Sequence, residues 1–143
     1  MRRLTPALLA ALLTATAVLA HTGVKDTQVK ARMDGMKLLG AQTKILDQIA
    51  KGATPFNAAK ALTAIEEMQT EAKRTRALFE PKADDPKSEA KSEIWTNWVS
   101  FTARSNALSD ALATADVTTP DALGQSVRAF GVACSACHKQ FRE

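Results

Sequence analysis

Apolar residues return with helical spacing along most of this chain. The clearest run lies near the C-terminal end, where Leu123, Val127, Phe130, Cys134, Cys137 and Phe141 follow one another at intervals of 4, 3, 4, 3 and 4. Residues so spaced line one face of a helix, so the run predicts a helix whose core-facing stripe contains both cysteines. Thr119, Pro120 and Asp121 mark its start with a capping hydroxyl, a proline suited to the first helical position and an acid at the positive end of the helix dipole.

Ile94, Trp98, Phe101, Ser105, Leu108 and Leu112 repeat the rhythm upstream and predict another such helix. A further one begins near Asn57 and carries Leu62, Ile65, Met68, Ala72 and Phe79 on its apolar side. The earliest, over about residues 24–50, sets Met36, Leu39, Thr43 and Leu46 on one line, with Leu38, Ile45 and Ile49 beside it and Arg32 one turn before Met36. Breaks fall at residues 52–55, 81–86 and 117–120, each marked by proline. No alternating strand pattern intervenes, so the expected fold is all-α, an up-down-up-down antiparallel four-helix bundle. In that topology the first and fourth helices are neighbours, and the beginning of the first meets the end of the fourth.

Residues 1–20 break the helical pattern differently. Arg2 and Arg3 precede an apolar stretch that ends in Val18, Leu19 and Ala20, the form of a secretory signal peptide. Thr5, Pro6, Thr14 and Thr16 leave less than the roughly 20 unbroken apolar residues a membrane helix needs. Residues 21–143 are therefore expected to form one exported domain with no stable membrane insertion after cleavage. Without Arg2 and Arg3 its formal charge falls two below the +4 of the whole chain. No basic cluster with interleaved aromatics appears, so nucleic acid is not an expected partner.

Both cysteines of the protein lie in Cys134-Ser135-Ala136-Cys137-His138, the pattern by which a c-type haem is attached. Two thiols must reach the two vinyl groups of one porphyrin while an imidazole beside them reaches the iron. On a helix Cys137 lies three and His138 four residues beyond Cys134, so all three project from one side. A redox Cys pair or half a zinc site is the competing reading. It lacks a second Cys pair, its only other histidine is His21, and no strand leads into a thioredoxin-like helix. One covalent haem c is expected, with His138 on the iron and no disulfide.

The opposite face of the iron then decides the chemistry. Met33 and Met36 lie in the first half of the first helix, at the end of the bundle where the haem motif belongs, whereas Met68 belongs to the core. Met33 is offset from the line of Leu39, Thr43 and Leu46, which leaves Met36 as the candidate. A thioether on the iron gives a six-coordinate centre suited to moving electrons. Met36 packed against the ring without binding would leave an open site, and spacing alone supports both arrangements.

Arg32-x-x-x-Met36, Ala50-Lys51-Gly52, Ile94-Trp95 and the C-terminal Cys134-x-x-Cys137-His138-x-x-Phe141-Arg142 resemble the cytochrome c′ family, the class II c-type cytochromes. The resemblance covers essentially all of residues 21–143, and its most specific part is the haem motif at the C-terminal end. It implies a soluble periplasmic four-helix bundle. One branch of the family has a five-coordinate iron that binds nitric oxide or carbon monoxide; the other, low-spin branch takes a methionine from the first helix as sixth ligand and carries electrons. Met36 falls at that ligand's position, counted from Lys51 and Gly52. Arg32 resembles the helix-one arginine that approaches the haem, where it would pair with a propionate; otherwise it is a solvated helix arginine. Arg142 resembles a basic residue near the proximal imidazole, where its charge would disfavour the oxidised iron; otherwise it is a favourable cation at a helix C-terminus.

The expected function is a periplasmic one-electron carrier with iron held by His138 and Met36, exchanging electrons with redox partner proteins. The alternative is a five-coordinate protein binding nitric oxide or carbon monoxide. Catalysis is not expected, since no distal histidine, carboxylate pair or second haem motif is present to run it. The resemblance also implies a homodimer through the first two helices, with Leu38, Ile45 and Ile49 either at that interface or in the interior.

Overall fold

The structure is a computed structural model that describes residues 23–143. The signal peptide expected over residues 1–20, and the cleavage expected before His21, lie outside the described residues. Five helices form within them: α1 (Thr27–Ala50), α2 (Ala58–Phe79), α3 (Glu93–Thr96), α4 (Trp98–Ala113) and α5 (Pro120–Phe141). Side-chain oxygens start the long ones. Asp26 accepts from the Val29 N–H at 2.8 Å, Asn57 from the Lys60 N–H at 2.9 Å, and Thr119 from the Ala122 N–H at 3.1 Å. Each satisfies a backbone donor that the first turn leaves without a helical partner.

The long helices make the expected bundle. α1 packs on α2 and α5, and α4 packs on the same two. Polar contacts fix their directions. Gln28 Nε2 at the start of α1 donates to the Leu78 carbonyl at the end of α2, Gln69 of α2 to the Leu112 carbonyl near the end of α4, and Ser100 near the start of α4 pairs with Gln140 near the end of α5. Asp47, Ala50 and Lys51 share a surface cleft with Pro120, Asp121 and Gly124, so the end of α1 meets the start of α5. The beginning of α1 therefore lies beside the end of α5. Among the described residues no helix is long and apolar enough to cross a membrane.

Two expectations need correction. Leu62 is 49% exposed and is not core. α2 buries the adjacent line of Ala61, Ala64, Ile65, Met68, Ala72, Thr75 and Phe79, whose small alanines allow a close approach to the neighbouring helices. The third predicted helix is divided, because Asn97 leaves helical backbone (φ −129°, ψ 50°) and separates the single turn α3 from α4. That break lets Ile94 bury and lets Trp95 Nε1 donate to the Phe79 carbonyl at 2.8 Å, which ties α3 to the end of α2.

The interior has two parts. A long cluster joins Leu39, Leu46, Ile49, Ile65, Met68, Leu112, Leu123 and Phe130, with Ile45 packed on its edge. Ile49 is thus interior, and Leu38 is half-buried. A second, aromatic cluster of Phe79, Ile94, Phe101 and Phe141 fills the end of the bundle where α5 terminates.

Candidate functional site

The last two turns of α5 hold Cys134, Cys137 and His138, all half-buried. The cysteines are not joined to each other. Cys137 packs on the aromatic cluster, and so does Met36 from the neighbouring helix α1, with Trp95 and Trp98 beside them. The rings make a continuous wall. Phe101 tilts against Phe79 at 5.1 Å, stacks on Trp98 at 5.4 Å and meets Phe141 edge-on at 5.4 Å. Such offset and edge contacts are the favourable arrangements for aromatic groups and hold the wall rigid.

The methionines divide as the line along α1 suggests. Met68 is fully buried in the long cluster, its sulfur 3.9 Å from the Thr43 hydroxyl. Met33 is half-buried and belongs to neither cluster, whereas Met36 touches both. Met36 is therefore the α1 methionine that packs on the same aromatic cluster as Cys137.

Arg32, one turn before Met36, is only 3% exposed. Its Nε donates to the Leu78 carbonyl at 2.8 Å, Nη1 to the Ala83 carbonyl at 3.0 Å, and Nη2 to the Pro81 carbonyl. The guanidinium lies 4.9 Å from the Phe79 ring centre and 5.2 Å from that of Trp95, within reach of cation–π attraction to both. Burial lowers its pKa from the ordinary arginine value, and the Asp26 carboxylate opposes that shift. Three of its five N–H donors are so engaged, which leaves one on each terminal nitrogen.

On the other flank, Arg142 forms an ion pair with Glu89, and its backbone N–H donates to the His138 carbonyl at 3.0 Å. His138 has a lowered pKa, first from burial and then from Arg142, with Glu89 opposing. The lowering favours the neutral imidazole, whose lone pair a metal can take. Burial raises both thiols, Cys137 also through Cys134, with Arg104 opposing at Cys137. A redox-active pair needs the reverse, a stabilised thiolate. Among the described residues no group of three or more His, Cys, Asp and Glu stands together to hold a metal ion. Two unjoined neutral thiols on one helical face, an imidazole next to them and an aromatic wall fit covalent haem c.

Glu89 and Asp85 gave no signal in the sequence. Both lie between α2 and α3, where no periodicity exists to place them. Asp85 is buried and accepts from the backbone N–H groups of Lys25 at 2.8 Å, Asp26 at 3.1 Å and Lys87 at 2.9 Å. It thereby fastens the entry to α1 onto the loop whose carbonyls hold Arg32. Asp85 stands between Pro81 and Pro86, a context that says loop but not role, and Glu89 falls beyond the second proline.

Comparison with known proteins agrees with this geometry. The sequence profile described as Cytochrome C′ matches residues 27–142. A cytochrome c-556 of Agrobacterium tumefaciens (strain apple 185) is 32% identical over 115 residues, covering 78% of this chain and 91% of that protein. A cytochrome c′ of Pararhodospirillum photometricum is 33% identical over 127 residues, covering 82% and 98%. A substituted cytochrome c′ from Alcaligenes xylosoxidans, solved as its nitric oxide complex, superposes with a TM-score of 0.73 at 28% identity, covering 81% of this chain and 94% of that one. The chain belongs to the cytochrome c′ family and carries one covalently attached haem c.

Proposed function

We propose that the protein is a periplasmic one-electron carrier whose iron is held by His138 and Met36. The observation that carries the reading is the position of Met36: of the methionines on α1 and α2, it alone packs on the aromatic cluster that Cys137 also touches. Haem supplies an iron that alternates between two oxidation states. Cys134 and Cys137 would tether the ring, and the His138 imidazole would offer its lone pair to the iron. The Met36 thioether would be the second protein ligand, a soft donor that would favour the reduced iron relative to nitrogen ligation. Phe79, Phe101, Trp98 and Phe141 limit water at the site, and such an apolar shell helps to set the potential. Arg32 would have its two remaining N–H groups to offer a propionate. The protein has no catalytic role of its own and exchanges electrons with redox partner proteins.

A second reading, binding of a small gas at an open site, draws on the relative solved with nitric oxide. The Trp95 indole N–H is committed to the Phe79 carbonyl, so the wall beside Met36 would offer a gas apolar contact rather than that donor. The optical spectrum of the haem-loaded protein, with and without carbon monoxide, separates the two. The carrier reading requires a low-spin spectrum indifferent to carbon monoxide. A high-spin spectrum that shifts on adding the gas makes gas binding the function.

A further inference from the structure

The C-terminal strap of the protein lies against the segment that leads into α3. The Lys91 N–H donates to the Phe141 carbonyl at 3.0 Å, the Glu143 N–H donates to the Glu89 carbonyl at 2.9 Å, and Ala90 and Arg142 pair as an antiparallel bridge. Within this short ladder one oxygen of Glu89, Oε2, accepts from Arg142 Nε and lies 2.5 Å from Nη2. The Arg142 backbone is tied in turn to His138, because its N–H donates to the His138 carbonyl at 3.0 Å.

We infer that Glu89 is a positioning residue for the proximal side of the haem: it holds the Arg142 guanidinium in a fixed place relative to His138 and so sets the charge that the iron-bound imidazole meets. An ion pair with side chains 53% and 57% exposed ordinarily contributes little, because ordering two long side chains offsets the attraction. Here the ladder has already fixed both backbones, so less freedom remains to be lost. Two nitrogens on one carboxylate oxygen restrict the guanidinium further than a single contact would. Arg142 stands four residues beyond His138 with its N–H on the His138 carbonyl, so a guanidinium held by Glu89 keeps its charge at the end of α5 that carries the imidazole. Without Glu89, Arg142 remains tied at its backbone while its side chain is free to swing into solvent, where its field at the iron is weaker and more screened.

The inference rests on His138 as iron ligand and holds whether Met36 or a gas occupies the opposite face. Its test compares the haem midpoint potential at low ionic strength in four haem-loaded proteins: the natural chain, Arg142→Gln, Glu89→Gln and the double variant. Arg142→Gln lowers the potential of the natural protein, because a nearby cation favours the reduced iron. In the Glu89→Gln background the same substitution lowers it by less than half as much, because the guanidinium has already left its place. Equal downward shifts in both backgrounds overturn the inference, and so does no shift in either.

A second readout follows the pair itself. The Arg142 Nε–H gives a distinct, slowly exchanging nitrogen-15 NMR signal in the natural protein that Glu89→Gln abolishes and Glu89→Asp partly restores. A signal indifferent to Glu89→Gln overturns the inference independently of the iron. No potential shift together with a Glu89-dependent signal would locate the failure in the His138 reading. Failure of Met36 ligation would instead appear as a high-spin spectrum in all four proteins and leave the comparison intact.

Discussion

Replacing Arg32 by methionine removes the guanidinium while filling much of the volume of its aliphatic stem. Three charge-assisted hydrogen bonds disappear, to the carbonyls of Leu78, Pro81 and Ala83, together with contact to the Phe79 and Trp95 rings. The losses are unequal. The Leu78 carbonyl keeps the Gln28 amide, whereas Pro81 and Ala83 lie in the partly solvated loop between α2 and α3, where water replaces some of what is lost. Hydrogen bonds to charged groups contribute about 1.5–3 kcal/mol each, so at about 1 kcal/mol for each of these weakened cases the loss is about 3 kcal/mol. With a urea m-value of about 2 kcal/mol per molar for a domain of this size, the unfolding midpoint falls by about 1.5 M. The assay is equilibrium urea unfolding of the haem-loaded protein followed by far-ultraviolet circular dichroism. Arg32→Lys retains the charge without the planar fork and is expected to lose about half as much. A fall of less than about 0.5 M for Arg32→Met would show instead that desolvation of the cation cancels what its carbonyls and rings contribute.

Asp85 controls stability in acid. Backbone hydrogen bonds from Lys87, Lys25 and Asp26 hold its pKa below the usual value against an opposing effect of burial, so the folded state binds its proton less readily than the unfolded chain. Its contribution is therefore complete above the unfolded carboxylate pKa of about 3.9 and is lost as pH falls through the lower folded value. Asp85→Asn should be less stable at pH 7 and show a flatter decline below about pH 4 in urea midpoints measured from pH 7 to 2.5; parallel curves would contradict this. Gly35 is required by close approach: a Cβ there would collide with the Glu71 carboxylate, whose Cδ would lie only 3.0 Å away. Glu71 is buried and paired with Arg74, so it has little room to yield. Gly35→Ala gains about 1 kcal/mol of helix propensity, less than the roughly 2 kcal/mol typical of overpacking, for a net loss of about 1 kcal/mol. In a Glu71→Ala background the same substitution should stabilise, and a loss in both backgrounds would show that Glu71 is not the obstacle.

The bundle is legible because α5 and α4 set their apolar residues at strict helical intervals, and because Thr119, Pro120 and Asp121 state where α5 begins. The haem motif was legible for a related reason, since its three functional residues share one helical face and need no tertiary information to be brought together. Leu62 has the spacing of a core residue but stays exposed, because the contact surface of α2 is built from Ala61 and Ala64. Small residues matter there for how closely they let helices approach, which hydropathy does not register. The burial of Arg32 was invisible for a different reason. It depends on a loop folding back so that three carbonyls converge on one guanidinium, and no spacing rule places a carbonyl. Glu89 meets Arg142 across a separation of 53 residues, so that pairing too exists only in the folded chain.

One-electron transfer by this protein turns on Met36. The most direct measurement is the oxidised and reduced optical spectrum of the haem-loaded Met36→Ala variant, set against the natural protein and Met33→Ala. Met36 ligation requires a low-spin natural protein, an unchanged Met33→Ala, and a Met36→Ala that becomes high-spin and takes up carbon monoxide. A Met36→Ala spectrum identical to that of the natural protein would contradict it.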